Sequence, residues 1–219
     1  MTKPPPPPAL PAGGLPFTTT PAVADLNIPI RSFLSTHTQF VGAAIGALVY
    51  SRATGTDRVL LIQRAAHDSM PLQWEIPGGA ADGKDDFTLM HAAVRELWEE
   101  AGLKAKRVLR QVSGIHPLIT RRKNLVGKVT FEVEVEVEEG GEKKLPKVTL
   151  DPNEHARFLW ATEEECAADQ VKVLGVDGEE VVDAEVVKIR YTAKEQKMAI
   201  LDGFKLRRED LLRDEAKEV

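Results

Sequence analysis

The sequence contains little of what disulfide-bonded, secreted or membrane-spanning proteins require. Its single cysteine, Cys166, allows neither an internal disulfide nor a zinc site built from several cysteines. The longest apolar run, Phe40–Tyr50, has 11 residues with two glycines, whereas a membrane-spanning helix needs about 20 apolar residues. The N-terminus has no apolar core of the kind that a secretory signal uses, and its first arginine is Arg31. We therefore expect a cytoplasmic or nuclear protein without a membrane partner.

Neither charge sign dominates the composition. The 29 Lys and Arg residues and the 34 Asp and Glu residues give a formal net charge of −5, which argues against binding to polymeric nucleic acid. Hydrophobic residues make up 42% and charged residues 29% of the chain, values typical of a globular protein. A chain of 219 residues is long enough to bury a hydrophobic core without disulfides or a structural metal.

The proline content divides the chain into two unequal parts. Residues 1–37 begin with the run Pro4–Pro8, which favours polyproline II and does not assemble a core, so we expect a largely disordered tail. Such a run is a ligand for proline-recognising partner domains, although a plain solvated tail is the simpler interpretation. Residues 38–212 mix strand-like and helix-like patterns without strict alternation, which predicts one α/β or α+β domain.

Hydrophobic periodicity and capping residues place the predicted elements. A helix is predicted at Phe87–Ala101, with Asp85 or Asp86 as its N-cap and Gly102 at its end. The predicted strands are Phe40–Tyr50, Arg58–Arg64, Val126–Glu138, Lys143–Asp151, Arg157–Trp160 and Val186–Tyr191. Two further helices are predicted, one after Thr162 and one from Thr192, the latter with Glu195 in a capping box.

Three glutamates lie close together near the end of the helix predicted at Phe87–Ala101. On a helical projection, Glu96, Glu99 and Glu100 share one arc of about 100°, and the apolar residues lie on the opposite side. Carboxylates at this spacing repel each other, and the negative end of the helix dipole disfavours them further. A hard divalent cation such as Mg²⁺ would offset both penalties, because it prefers oxygen ligands. Taken without their context, three glutamates are more simply explained as an ordinary solvated face.

The segments around the glutamates favour the functional interpretation. Upstream, Pro77-Gly78-Gly79 offers a backbone without Cβ atoms at two positions, which can approach a phosphate closely or turn sharply into the helix. Arg95 directly precedes the cluster and is placed to tie this loop to the helix through bidentate hydrogen bonds.

Residues 95–103, Arg-Glu-Leu-Trp-Glu-Glu-Ala-Gly-Leu, resemble the signature of the Nudix hydrolase family. That signature ends in Arg-Glu-aliphatic-any-Glu-Glu-any-Gly-aliphatic, and every specified position matches. The segment 74–79, Trp-Glu-Ile-Pro-Gly-Gly, is similar to the approach segment common in this MutT-like family. The resemblance implies the Nudix fold, an α/β arrangement with a mixed β-sheet sandwiched between α-helices. It also implies hydrolysis, dependent on Mg²⁺ or alternatively Mn²⁺, of the diphosphate bond in a nucleoside diphosphate linked to another moiety.

The resemblance also implies roles for individual residues. Glu154 lies in the loop before Trp160, where family members often carry an acidic outer metal ligand or general base, and an exposed loop glutamate is an equal alternative. Glu132, Glu134 and Glu136 compete for that role, although a solvated strand face explains them more simply. The implied catalytic residues are Glu99, Glu154 and Arg95, the implied metal ligands are Glu96, Glu99, Glu100 and Glu154, and the implied substrate-binding residues are Arg64, Gly78 and Gly79.

The sequence departs from the family signature at two positions upstream of the helix. The signature has a further glutamate eight residues before the arginine and a glycine six residues before that glutamate, where this chain has Phe87 and Ala81. The loop is two residues longer than the signature expects, and Asp85 or Asp86 is the predicted auxiliary substitute for the missing glutamate.

Two other functions stay open at this point. One is a catalytically weak Nudix-like module that binds nucleotides or regulates a partner, which the Phe87 departure suggests. The other is the diphosphate isomerase branch of the same fold, which uses an early catalytic cysteine, whereas Cys166 lies late and among glutamates. We interpret His116 and His155 as ordinary polar residues and the triplet Arg121-Arg122-Lys123 as a solvated loop. Neither the exact nucleotide substrate nor homodimer formation is defined by the sequence.

Overall fold

The computed structural model describes residues 9–10, 14–84, 86–137, 144–175, 178–179 and 181–216. Its strands are β1 Thr18–Thr19, β2 Ala43–Leu48, β3 Tyr50–Ser51, β4 Arg58–Arg64, β5 Trp74–Glu75, β6 Ala80–Ala81, β7 Ala105–Ile119, β8 Leu125–Val135, β9 His155–Ala161, β10 Gln170–Lys172 and β11 Val186–Lys188. Its helices are a 3-10 helix at Pro21–Leu26, α1 Ile30–Thr36, α2 Leu89–Ala101, α3 Glu163–Ala168 and α4 Lys194–Glu215. Predictions for Pro4–Pro8, Asp85, Glu138 and Lys143 lie outside the described residues.

The strands form a mixed sheet and a smaller antiparallel one. In the first sheet the order is β1-β7-β8-β2-β6, with β2 parallel to β8 and β7 antiparallel to it. In the second, β4 pairs with β3, β5 and β9, all antiparallel. β10 and β11 pair separately as a two-stranded ribbon. The carboxyl end of β4 and the start of β9 therefore lie side by side, at Arg64 and His155.

Helices cover the strands on both sides. Leu60 and Ile62 of β4 belong to a buried cluster that includes the apolar face of α2. Val59 and Leu61, which alternate with them, belong to a second cluster with residues of α3 and α4. The apolar run of β4 is thus buried on both faces, as expected for a strand between two helical layers. The mixed sheet and the antiparallel sheet together form a β layer with α-helices on both sides. This is the α/β fold class predicted from the sequence, and the prediction is confirmed.

Packing begins well before residue 38. Val23 of the 3-10 helix and Ile30 and Phe33 of α1 are buried in the same cluster as α2. These residues lie in the stretch that the sequence analysis assigned to the tail. Their apolar side chains cover the N-terminal end of α2, where Ile30 N–H donates to Phe87 O over 3.1 Å.

Several predicted elements differ from the observed ones. The strand predicted at Phe40–Tyr50 is split into β2 and β3, and 144–150 has no strand. The long strand β7 was not predicted, because its register shifts three times and its apolar spacing is irregular. The capping box predicted at Thr192 is wrong, since Ala193 is the N-cap of α4 and the Thr192 hydroxyl donates to Glu75 over 3.4 Å. Among the described residues, no helix has the length and apolarity needed to cross a membrane.

Candidate active site

Helix α2 carries the glutamate cluster, and its ends are fixed by side-chain and backbone caps. Gly102 ends the helix in the left-handed conformation with φ +65°, as predicted. The N-cap is Thr88, whose hydroxyl accepts a hydrogen bond from His91 N–H over 3.3 Å. The prediction of Asp85 or Asp86 as N-cap is therefore wrong, because the helix begins two residues later than its apolar pattern suggested.

The three glutamates of α2 have three different environments. Glu100 is buried, Glu96 is partly buried and Glu99 is exposed. Glu100 Oε2 accepts a hydrogen bond from Gly78 N–H over 2.7 Å, so the loop before the helix covers this carboxylate and replaces water. The helical projection placed the three residues on one side of α2, as observed. The alternative that this side is exposed to solvent is wrong for Glu100, because a projection of one helix does not include the loop that packs on it.

The glycines of the Pro77-Gly78-Gly79 loop are required by close packing. A Cβ atom on Gly78 would overlap the Ile45 carbonyl oxygen and lie 2.8 Å from Gly46 Cα on β2. A Cβ atom on Gly79 would lie 2.6 Å from Glu96 Oε1. Both distances are shorter than carbon and oxygen atoms tolerate without a bond. Gly78 is therefore required for the loop to pass β2, because the atoms it faces belong to the backbone, whereas a side chain on Gly79 would displace the Glu96 carboxylate.

Arg95 ties the upstream loop to α2. Its Nε and Nη2 donate to the two carboxylate oxygens of Asp86 over 3.0 and 2.8 Å, and Nη2 also donates to Ala80 O over 3.0 Å. Its Nη1 donates to Glu96 and Glu99 over 2.9 and 2.8 Å. Asp86 is the stronger partner, because a bidentate pair combines charge attraction with fixed geometry. The loop–helix tie expected of Arg95 is present.

The departure from the family signature has a clear geometric consequence. Phe87 is 65% exposed and contributes no polar atom to the cluster, and Ala81 pairs with Ala43 at the edge of the sheet. Asp86, one residue earlier, is buried and faces Arg95. Of the two predicted substitutes, Asp86 is thus placed in contact with the signature arginine, and Asp85 lies outside the described residues.

A second group of charged residues reaches the same region from strand ends. Arg64, the last residue of β4, donates from Nη1 to Glu75 on β5 and from Nη2 to Asp68 over 2.7 Å. Glu75 is buried, and Thr192 holds its second oxygen. Arg64 therefore lies at the site, with its guanidinium shared between two carboxylates.

Residues before and at the start of β9 complete the cluster. Glu154 ends a turn in which Glu154 N–H and His155 N–H both donate to Asp151 O, over 3.1 and 2.8 Å. His155 is buried, with Nε2 lying 3.5 Å from Glu75 Oε1 and 3.9 Å from Glu100 Oε1. Glu100, Glu154 and His155 each offer one potential metal-ligating atom, and these atoms lie within 4.8 Å of one another. These neighbours of His155 could not be predicted from the sequence, because sequence spacing does not reveal the contact between β9 and α2.

Burial opposes ionisation of the two α2 carboxylates, Glu96 and Glu100, that lie in this cluster. It raises the pKa of Glu96 to about 7, against the attraction of Arg95. Burial also raises the pKa of Glu100 well above its ordinary value, and the neighbouring Glu96 adds to the effect while Gly78 N–H opposes it. A divalent cation would favour the charged form of both groups. The donor set, two carboxylates and one imidazole with further carboxylates beside them, fits Mg²⁺ or Mn²⁺, the latter accepting nitrogen more readily.

A cavity of about 320 Å³ adjoins the cluster. All three predicted substrate-binding residues, Arg64, Gly78 and Gly79, line it, together with Glu75. Its apolar walls are aliphatic, and no Phe, Tyr or Trp of the described residues contributes to the lining. Glu100, Glu154 and His155 do not line it, so the cavity meets the cluster through Glu75 and the glycine loop, and it offers room for the remainder of a substrate molecule.

Other candidate residues lie elsewhere. Glu132 is buried between Arg110 and Arg207, at 2.6 and 2.7 Å, and does not line the cavity. Glu134 pairs with Lys106, and Glu136 is exposed, so neither reaches the cluster. Cys166 is packed in the core beside α4 and does not line the cavity; burial raises the pKa of its thiol to about 12.

Three residues at the site were not identified from the sequence as functional, namely Glu75, His155 and Lys128. Glu75 lies within the Trp-Glu-Ile-Pro-Gly-Gly segment, so its motif was noted without a role for the side chain. Lys128 of β8 lines the cavity and has no sequence signal of its own. The exposed triplet Arg121-Arg122-Lys123 is a turn between β7 and β8, as predicted, with Arg121 Nη2 3.9 Å from Asp68 Oδ1.

Comparison with known proteins defines the class. A family model of the NUDIX domain matches residues 41–192, which is more than half of the chain and spans every candidate residue described above. The chain therefore belongs to the Nudix family, whose members are hydrolases that act on pyrophosphate bonds and generally use a divalent metal. No curated protein matches the sequence.

Solved structures with a similar fold come from several organisms. A MutT protein from Methanosarcina mazei Go1 is 20% identical, with 58% of this chain and 80% of that chain covered and a TM-score of 0.44. An Ap4A hydrolase from C. elegans, solved as a binary complex, is 23% identical, with 57% and 83% covered and a TM-score of 0.39. The NUDIX domain of Shewanella oneidensis NrtR, complexed with ADP ribose, is 15% identical, with 65% and 88% covered and a TM-score of 0.46.

Proposed function

We propose that the chain is a metal-dependent hydrolase that cleaves the diphosphate bond of a nucleoside diphosphate linked to another moiety. The observation that carries this proposal is the convergence of Glu100, Glu154 and His155 within 4.8 Å, next to a glycine loop and a cavity. Buried carboxylates that repel each other are unfavourable unless a cation neutralises them. The family to which the chain belongs acts on the same class of bond.

Glu100 and Glu154 would hold the metal, with His155 beside them and Glu96 and Glu99 as the further predicted ligands on α2. Mg²⁺ is the proposed ion, and Mn²⁺ the alternative. When bound, such an ion neutralises charge on the phosphate oxygens and lowers the pKa of a water molecule that attacks phosphorus. Glu99 is the outermost of these proposed ligands, because its carboxylate is exposed and paired with Arg95.

The remaining residues position the reacting groups. Glu154 is exposed beside the buried Glu100, so it is the proposed general base that takes a proton from the attacking water. Arg95 holds the loop, Asp86 and Glu96 in one arrangement and is a positioning residue. Gly78 and Gly79 let the loop approach the substrate phosphates, and Arg64 offers them a cation at the cavity edge. Most of the acceleration would come from this positioning and electrostatic arrangement.

A product screen tests the proposal directly. The purified chain is incubated with Mg²⁺ or Mn²⁺ and a panel of about twenty nucleoside diphosphate derivatives, including nucleotide sugars, ADP-ribose and dinucleoside polyphosphates, and the nucleotide products are separated. We expect metal-dependent cleavage of the diphosphate bond in at least one class and its loss in Glu100→Gln. Nucleotide binding without turnover would instead support the catalytically weak module.

Location and partners stay predictions. We propose a cytoplasmic or nuclear location for the chain, and a proline-recognising domain as the partner of the Pro4–Pro8 run. Fractionation of cells that express the tagged chain tests the first prediction, and a pull-down with the isolated Pro-rich peptide tests the second.

A further inference from the structure

Lys128 places a cation inside the cavity. It lies on β8, where it is opposite Ala44 of β2 on one side and His116 of β7 on the other. Residues directly opposite each other on neighbouring strands project to the same face of a sheet. All three residues line the cavity, so this face of the mixed sheet forms its floor.

The path of the Lys128 side chain is set by its neighbours. A Cβ atom on Gly46 would lie 3.3 Å from Lys128 Cε and 2.8 Å from Ile76 Cδ1. The aliphatic part of Lys128 therefore runs across a backbone position that has no side chain, next to the loop that contacts Glu100. This path brings its ammonium close enough to Glu75 and Glu100 for their charges to attract it.

Three other partly buried cations differ from Lys128 in one respect. Arg64, Arg95 and Arg207 each form ion pairs with two or more carboxylates. Within the described part of the chain, no hydrogen bond or ion pair joins the Lys128 ammonium to another residue. Lys128 lines the cavity, and Nε2 of the neighbouring His116 is buried with no hydrogen-bond partner in the described residues.

A partly buried ammonium without a hydrogen-bonded partner is costly, because it loses hydration and gains only the longer-range attraction of Glu75 and Glu100. Burial accordingly lowers the pKa of Lys128, while Glu75 and Glu100 oppose the effect. An anion that enters the cavity would supply the missing partner. Glu100 belongs to the proposed metal centre and Glu75 lies beside its His155, so the anion nearest to Lys128 would be the group that the metal also binds.

We propose that Lys128 is a substrate-binding residue whose ammonium donates to an oxygen of the substrate diphosphate in the cavity. This inference rests on the proposed function for the identity of the anion. Lys128 would then be a determinant of substrate specificity that lies outside the signature residues. The site would select a diphosphate with one oxygen facing β8 and another facing the glutamates of α2.

The probe is inorganic imidodiphosphate, a diphosphate that is not hydrolysed, titrated calorimetrically into the full chain with Mg²⁺. A charge-assisted hydrogen bond contributes enough that Lys128→Met should weaken binding about 10- to 100-fold. Lys128→Arg, which keeps a cation, should recover most of this loss. Lys188→Met, at an exposed position on β11, is the matched control and should bind as the unmodified chain does. If Lys128→Met does not fold, Lys128→Gln takes its place.

Two further measurements separate binding from structure. Thermal unfolding of Lys128→Met should occur at the same or a higher temperature, because the variant removes an unpaired buried charge. Its affinity for Mn²⁺ alone should be unchanged or higher, because a cation near the carboxylates has been removed. If Lys128→Met binds imidodiphosphate as tightly as the unmodified chain, or loses it only together with Mn²⁺, Lys128 is a charge-balancing residue and the inference is wrong.

Activity measurements distinguish the failure of this inference from the failure of the proposed function. If the unmodified chain cleaves no substrate of the panel but binds imidodiphosphate through Lys128, the proposed function is wrong and the binding role stands. If the chain is an active hydrolase and Lys128→Met has an unchanged KM, the proposed function stands and the role of Lys128 is wrong.

Discussion

Two buried glutamates, Glu100 and Glu132, show how differently this chain treats the same side chain. Glu132 on β8 is bound by Arg110 and Arg207, at 2.6 and 2.7 Å, and these arginines also reach Asp210 and Asp57. Among the described residues Glu100 on α2 accepts one hydrogen bond, from Gly78 N–H, and the carboxylates of Glu96, Glu75 and Glu154 oppose its ionisation, with Lys128 as the cation that attracts it from a distance. The first carboxylate is held by two direct ion pairs to arginine, and within the described chain the second has no such pair.

The difference separates stability from function. The ion pairs of Glu132 attach α4 to the mixed sheet through Arg207, and the charges there balance without a ligand. At Glu100 the protein holds several carboxylates together against their repulsion, and the single Lys128 ammonium nearby does not balance them. The comparison predicts that changes at Glu100 mainly alter activity and metal binding, whereas changes at Glu132 mainly alter the free energy of unfolding.

Glu100→Gln should have the largest effect on catalysis. Removing a charge that holds the metal against the substrate should lower kcat/KM on the order of 1,000-fold. The free energy of unfolding should be unchanged or higher, because the variant relieves repulsion among buried carboxylates. Steady-state kinetics and urea unfolding of the same preparation measure both quantities. Full activity in Glu100→Gln would remove this residue from the metal centre.

Glu132→Gln should show the opposite pattern. Two partly buried guanidinium groups lose the buried counter-ion that they share, which should lower the free energy of unfolding by about 3 kcal/mol. The activity per folded molecule should stay unchanged, because Glu132 does not line the cavity. Urea unfolding measures the change in the free energy of unfolding. Turnover per folded molecule, measured at low temperature where the variant stays folded, tests whether activity is unchanged. A large loss of turnover at unchanged stability would contradict the assignment of Glu132 as structural.

The pH dependence of stability should differ between the two regions. Burial raises the pKa of Glu96 from 4.5 to about 7, so the folded chain keeps this proton where the unfolded chain has released it. In metal-free buffer the free energy of unfolding should therefore fall as the pH rises from about 4.5 to about 7, on the order of 2 kcal/mol. Glu96→Gln should reduce that loss without abolishing it, because burial also raises the pKa of Glu100, and Glu132→Gln should retain the loss in full. Urea unfolding in EDTA between pH 5 and pH 8 measures the slope.

Asp86→Asn should have the smallest effect of the series. Arg95 keeps Glu96 and Glu99 as partners, so the loss of the Asp86 charge should reduce stability by about 1 kcal/mol and kcat by about 10-fold through a looser loop. Phe87→Glu is the matched control: it restores the signature residue, but at a side chain that is 65% exposed. It should leave kcat unchanged. A gain in kcat from Phe87→Glu would show that Asp86 does not substitute for the missing glutamate.

The sequence predicted the parts of the fold that depend on local pattern. β4 matches its predicted bounds because its apolar run is buried on both faces, and α2 ends at Gly102 as its left-handed cap requires. β7 was not predicted, because its apolar residues do not alternate regularly. The strand is stabilised instead by pairing with β8 over most of its length. The burial of Val23, Ile30 and Phe33 depends on contacts with α2 that lie more than fifty residues away.

The candidate site divides in the same way. Glu96, Glu99, Glu100 and Arg95 lie on one helix, so a single motif identified them. His155 and Lys128 come from strands that are distant in sequence, and only the sheet registers bring them next to α2 and the cavity. Glu132 was expected to be exposed to solvent, because the alternating pattern predicts which side of the strand a residue lies on. The pattern does not predict that α4 covers that side through Arg207.

Metal binding tests the central claim most directly. Mn²⁺ is titrated into the unmodified chain, Glu100→Gln and Glu132→Gln at pH 8, and free Mn²⁺ is measured by electron paramagnetic resonance. The account predicts tight binding to the unmodified chain and to folded Glu132→Gln, with affinity at least about 10-fold weaker in Glu100→Gln. Equal affinity in all three proteins would contradict the claim that the buried carboxylates of α2 hold a divalent cation.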